Sequence, residues 1–182
     1  MPYEPPPELA TLTLAQIADL VERRKLPAID GWAPQTQGDS RMRIGADGTW
    51  FHDGTPITRP AMVRAFSGLL TCDSSGAHWL ITPFEKLAIA VEDAPFIAVD
   101  VARTDGDLAF RLNTDDLVVA GPDNALVARG DAERPAIYLH VRRGCMARLN
   151  RSTYEQVAQI ALDAGEDWAV TSGGQSFTLQ PG

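Results

Sequence analysis

Apolar residues at helical spacing open the first strongly patterned stretch of the chain: Leu14, Ile17, Leu20 and Val21 form one stripe. Thr13 stands where an N-cap is needed, and Pro27 stops the run. Arg23, Arg24 and Lys25 suit the negative end of the helix dipole. Before this helix, residues 1–12 are rich in proline and read as loose chain. After it, residues 28–40 carry Pro34-Gln35-Thr36-Gln37-Gly38 and read as a loop. The period then changes to two. Met42 to Ile44, Thr49 to His52 and Thr55 to Thr58 read as a small antiparallel sheet, turned at Ala46-Asp47-Gly48 and Asp53-Gly54. Pro60 suits the first position of a second helix, whose apolar stripe is Met62, Val63, Phe66, Leu69 and Leu70.

The remainder reads mainly as strands: Trp79 to Thr82, a short segment about Glu85-Lys86, then 87–91, 96–101, 107–112 and 117–120. Pro122-Asp123-Asn124 marks a turn, and Ile137 to Asn150 forms a hairpin. A helix over 152–164 and two short strands, Trp168 to Thr171 and Phe177 to Leu179, close the chain. The class is α+β, built mainly of small antiparallel sheets with one helix in each lobe. An internal repeat organises the whole. Trp50-x-His52-x-Gly54, Arg59, a helix and Trp79-Leu80-Ile81-Thr82 come first. Tyr138-x-His140, Gly144, Arg151, a helix and Trp168-Ala169-Val170-Thr171 follow in the same order. Residues 41–82 and 137–171 are therefore expected to be like-connected units. The plain alternative is that Trp and Thr favour strands wherever they occur. On the duplicated reading, 1–27 is a tail with a short helix, 28–95 the first lobe and 96–182 the second.

Several blocks carry a family resemblance. In the first lobe they are Gly48-Thr49-Trp50-Phe51-His52-Asp53-Gly54-Thr55-Pro56-Ile57-Thr58-Arg59, Ile81-Thr82-Pro83-Phe84-Glu85-Lys86 and Val91-Glu92-Asp93-Ala94-Pro95-Phe96. The second lobe adds Leu139-His140-Val141-Arg142, Ala147-Arg148-Leu149-Asn150-Arg151 and Trp168-Ala169-Val170-Thr171-Ser172-Gly173-Gly174. In order and spacing these blocks resemble a bacterial family, the domain-of-unknown-function family twelve eighty-five, over roughly residues 28–180. The resemblance implies two similar lobes from a duplication, the second of them pleckstrin-homology-like. It also implies a site for a nucleotide-like ligand between the halves and a link to signalling. The family has no established activity.

The second hairpin offers the clearest chemistry from the residues themselves. Alternate side chains of a strand face opposite sides, so Ile137, Leu139 and Val141 share one face and Tyr138, His140 and Arg142 the other. With an odd connection such as Arg143-Gly144-Cys145, Ala147 and Leu149 join the apolar face, and Met146, Arg148 and Asn150 the polar one. Arg151 follows directly. Two guanidinium forks, a histidine and an aromatic suit a phosphate or carboxylate with a ring to stack on; the same face would serve as solvated surface. In the first lobe Arg59, at a strand-to-helix junction, and Lys86 are the cations that could hold an anion, or pair with a carboxylate. Glu85 and Asp93 are possible acidic site groups, as an acid–base pair or metal ligands, although carboxylates near turns more often cap or face water. Trp50 and Trp79 fit a core better than a stacking platform. His52, His78 and His140 lack the H-E-x-x-H spacing, and no metal site is expected. Cys145 near His140 has no third, orienting group, so no catalytic residue is assigned.

Composition narrows the function. A net charge of −8 over 182 residues argues against a nucleic-acid polymer or an anionic membrane as partner, without excluding a local basic pocket. Two distant cysteines, Cys72 and Cys145, make no disulfide framework, and with no signal-like N-terminus or long apolar run the expected compartment is the cytoplasm. Dinucleotide, phosphate-loop and nucleophile-elbow motifs are absent, and Gly38-Asp39-Ser40 is followed by Arg41 where one hydrolase signature has leucine. No cofactor is implied. The reading that results is a non-catalytic, ligand-binding regulatory protein, with a small anionic, nucleotide-like ligand in the cleft between lobes and a role in signal transduction. The alternatives are a small-molecule hydrolase using Glu85 or Asp93 with His140, and a protein-interaction module.

Overall fold

The structure, a computed structural model, describes residues 7–181. The first six residues of the proline-rich tail, read above as loose, lie outside the described residues. The helices are α1 (Leu14–Arg23), α2 (Pro60–Ser67) and α3 (Arg151–Asp163). The strands are β1 (Thr36–Ile44), β2 (Trp50–His52), β3 (Thr55–Pro56), β4 (Leu70–Cys72), β5 (His78–Ile81), β6 (Glu85–Val91) and β7 (Phe96–Thr104). They continue as β8 (Asp107–Leu112), β9 (Leu117–Val119), β10 (Leu126–Gly130), β11 (Pro135–Arg142), β12 (Cys145–Leu149), β13 (Ala169–Ser172) and β14 (Gln175–Thr178). They fall into two compact units. One holds residues 25–95 with 142–145; the other holds the described residues up to 24, 96–141 and those from 146 on.

Each unit contains a six-stranded sheet, and the two sheets have one topology. The orders are β3-β2-β1-β6-β5-β4 and β9-β8-β7-β12-β11-β10. In both, the first and sixth strands of the set pair in parallel, Thr36–Ile44 with β6 and Ala147–Leu149 with β7. The other ladders with resolved registers in these sheets are antiparallel. β1 starts at Thr36 and β7 at Phe96, β6 at Glu85 and β12 at Cys145, an offset of 60 residues both times. The chain is thus an α+β protein of two similar lobes, as duplication requires.

The repeat is framed differently from the sequence alignment of 41–82 with 137–171. The first segment spans β1 to β5 with α2 between the third and fourth strands. The second spans β11, β12 and α3 and ends in β13, which belongs to a separate two-stranded sheet. What repeats is the sheet, while the shared Trp-x-x-Thr strings reflect the strand preference of those residues.

Other boundaries also move. β1 begins at Thr36, inside the stretch read as a loop, because its exposed first half is held by pairing to β6 and shows no apolar alternation. A bulge follows: Arg41 takes φ 59° and the register shifts between Asp39 and Met42. β4 and β10, short strands at sheet edges, went unread, and Leu70, assigned to a helical stripe, is the first residue of β4. The second hairpin turns through two residues, Arg143 and Gly144, both with positive φ, in place of the expected odd connection Arg143-Gly144-Cys145, because Cys145 is already in β12. That is the primed turn favoured by the twist of the strands. Gly144 is required there, because a Cβ on it would meet the Cys72 carbonyl oxygen at 2.6 Å.

The second unit shows how local signals and packing agree. Thr13 caps α1 in a reciprocal capping box with Gln16, which satisfies two amides of the first turn. The same helix buries Ile17 against Leu9, Ala109 and Leu117, so Leu9 is anchored rather than loose. Arg24 at the helix end donates from Nε to Asp116 Oδ1 at 2.7 Å, while Thr114 donates to the other carboxylate oxygen. Asn150 caps α3 by accepting from the Thr153 amide. Ser172 Oγ donates to the Ala120 carbonyl and accepts from the Leu108 amide, which pins the β13–β14 hairpin. Among the described residues no helix is long and apolar enough to cross a membrane.

The Arg24–Asp116 pair is well enclosed, at 15% and 3% side-chain exposure. Arg24→Ala should leave a buried carboxylate short of a partner and cost the second unit about 3–5 kcal/mol. Urea unfolding of the variant measures this; a midpoint equal to wild type would show the pair to be dispensable.

Candidate functional site

The first unit contains a pocket because its helix is short. Eight residues of α2 reach about 12 Å, whereas the nine residues of β1 span about 30 Å, so part of the sheet face stays uncovered. The opening is a cavity of about 540 Å³. Met42, Leu80 and Leu87 form its floor from the sheet, Met62 and Phe66 its helical wall, and Pro56, Ile57 and Leu69 its ends. Phe66 is steadied from behind by Trp50, stacked at a centroid distance of 6.4 Å. Met62 is 40% exposed, unusual for a core position, because it lines the opening.

Its polar groups divide into two kinds. Ser40 Oγ donates to the Ala88 carbonyl at 2.7 Å, and Thr82 Oγ1 donates to the Glu85 carbonyl at 3.1 Å. Both hydroxyl protons are therefore committed to the fold. At the rim stand His52, Thr55, Thr58 and Arg59, all exposed. His52 Nε2 lies 3.6 Å from the Asp53 carboxylate. Arg59 is the N-cap of α2, where its carbonyl accepts from the Met62 and Val63 amides and no side chain caps the turn. Among the described residues the Arg59 guanidinium makes no ion pair or hydrogen bond.

Two family models match the chain in succession: "Domain of unknown function (DUF1285), N-terminal domain" over residues 27–94, and "Protein of unknown function (DUF1285), C-terminal domain" over residues 95–179. The chain belongs to the DUF1285 family. Among solved structures, a DUF1285 family protein from Silicibacter pomeroyi DSS-3 is 37% identical, with 91% of this chain and 94% of that one covered and a TM-score of 0.77. A second DUF1285 family protein, from Shewanella baltica OS155, is 26% identical over 65% of this chain and 90% of its own, with a TM-score of 0.55. No curated protein matches.

The candidates read from this DUF1285 sequence are distributed over both units. Arg59 lines the pocket. Lys86 is on β6 with Nζ 4.2 Å from the centre of the Trp79 ring, a cation–π contact outside the lining. Glu85 and Asp93 are half-buried, and Glu85 uses its amide and carbonyl in the β5–β6 turn. Arg142 donates to the Ser67 carbonyl at 3.3 Å. In the second unit Tyr138 is buried, with Arg129 at 4.9 Å and Arg148 at 6.0 Å from its ring centre. His140 Nδ1 meets the Asp123 carbonyl at 3.1 Å, and Arg151 pairs with Glu155 one helical turn on. Tyr138 and Arg148 are thus brought together, joined by Arg129, which was hidden because β10 was not read as a strand. Among the described residues no cluster of histidine, cysteine and carboxylate groups could hold a metal ion.

The pocket walls were missed, although the sequence held a hint. Met62, Val63 and Phe66 put three apolar side chains on a helix of two turns, and the apolar run continues past its end through Leu69 and Leu70. Arg143 was missed as well: its two terminal nitrogens donate to the carbonyls of Gly68 and Pro27, both at 2.7 Å.

Cys145 is fully buried, and burial first, then the nearby Cys72, pushes its thiol up to about 12. A neutral, enclosed thiol is neither nucleophile nor redox sensor. Iodoacetamide at pH 8 should leave Cys145 unmodified in the native protein and label it after denaturation, by peptide mass mapping. Native labelling at Cys145 ahead of Cys72 would contradict this placement.

Proposed function

We propose that this DUF1285 protein is a non-catalytic, ligand-binding regulatory protein of the cytoplasm, acting in signalling, and that its first unit binds a small anion. The observation that carries the reading is the Arg59 guanidinium at the mouth of a 540 Å³ cavity. Cavities of a few hundred Å³ with mostly apolar walls and a few placed polar groups are the usual form of small-molecule sites. A guanidinium there supplies a planar fork for an oxyanion. Its position at the start of α2 adds a second consequence. A ligand bridging Arg59 and the sheet would tie the short helix to the floor, a change that a partner could sense.

Nothing in the pocket favours catalysis. The rim histidine lies beside Asp53, and Ser40, the serine of the lining, donates its proton to the Ala88 carbonyl. Binding without turnover is the expected behaviour.

Thermal melting with a panel of nucleoside monophosphates and small carboxylates tests the reading. A ligand at 100 times its dissociation constant should stabilise wild type by about 2.7 kcal/mol. Arg59→Ala should melt within about 0.5 kcal/mol of wild type when unliganded, because the side chain is exposed. It should lose most of the ligand-induced shift. A response equal to wild type would remove the site from this pocket.

A further inference from the structure

The cavity also speaks to the class of ligand. We infer that the pocket of the first unit takes a medium-chain monocarboxylate, its carboxylate on Arg59 and its aliphatic chain along Leu80 and Leu87. This rests on the ligand-binding reading above and narrows it. The walls are branched aliphatic and thioether groups, which favour a flexible apolar chain. A nucleobase would need its edge atoms read, yet the two hydroxyls of the interior, on Ser40 and Thr82, donate to the Ala88 and Glu85 carbonyls. Phe66 is the one phenylalanine, tyrosine or tryptophan of the lining, so the walls offer no pair of such rings to sandwich a base.

Charge leads to the same class. Arg59 is the one lysine or arginine among the lining residues, and Lys86 lies over Trp79 instead. One fork matches the two oxygens of a carboxylate in geometry and in charge. A phosphate carrying two or more charges would face a lining with a single lysine or arginine, on a protein of net charge −8. The monoanion is the better match.

Isothermal titration of the full chain with hexanoate, octanoate and decanoate, each below its micellar range, tests the inference. Decyltrimethylammonium and adenosine monophosphate serve as controls. Affinity should rise about fourfold per added methylene, the increment for burying one CH₂. Arg59→Gln should weaken every carboxylate by about tenfold or more and leave the chain-length slope unchanged. Decyltrimethylammonium should bind more weakly than decanoate. Adenosine monophosphate binding above decanoate, with loss in Arg59→Gln, would overturn the ligand class and leave the anion-site reading standing. Affinity independent of chain length would overturn the class as well. Failure of all the anions to bind would overturn both.

Discussion

In each unit the first and last strands of the six-stranded set lie side by side and run parallel. Parallel neighbours cannot be joined by a tight turn, so the intervening chain must leave the sheet and return. Here that chain builds the rest of the sheet, two strands outside the first and two outside the sixth. This constraint makes the lobes alike although their residues differ. It also decides where each helix can sit. In the first unit α2 is part of the connection, between the third and fourth strands, and must lie across the sheet face. In the second unit α3 follows the sixth strand, outside the connection. The pocket follows from the first arrangement: a connection long enough for only two helical turns leaves floor exposed beneath it.

In the same unit several polar side chains satisfy backbone groups directly. Arg143 caps the carbonyls of Gly68 and Pro27, and its own carbonyl accepts from the Cys72 amide. Asp73 gathers the Ser75 hydroxyl, the Ser75 and Ala77 amides and the Trp79 indole. Those hydrogen bonds, that of the Ser75 hydroxyl foremost, hold its carboxyl well below the usual range. Its contribution is present above the ordinary carboxylate range and declines progressively as the pH falls through and below that range. Against that background Arg59 differs from the committed arginines. It sits at a helix start, where a cation gains nothing from the dipole. On the proposed reading, a ligand anion would supply the compensation that the fold does not.

Local chemistry was legible in the sequence, and long-range pairing was not. Thr13 as a cap, Pro60 at a helix start and Asp53-Gly54 as a primed turn each depend on neighbours within four residues, and each is found as read. The first half of β1 and the edge strands β4 and β10 depend on partners far along the chain. The duplication was visible as a tendency, but its frame needed the strand order. Arg59 could be named from its place at a strand–helix junction. The cavity beside it could not, because periodicity tells which side chains face inward and not whether the space between them is filled. Ser40, Leu80 and Leu87 meet there from three strands.

The central claim is that a small anion occupies the cavity under α2, and the location of a bound molecule tests it most directly. In protein labelled at methionine and leucine methyls and saturated with decanoate, nuclear Overhauser contacts should connect the chain protons to Met62, Leu80 and Leu87. Contacts confined to methyls of the second unit, such as Leu139 or Leu149, or decanoate binding with no contact to those three residues, would contradict the account.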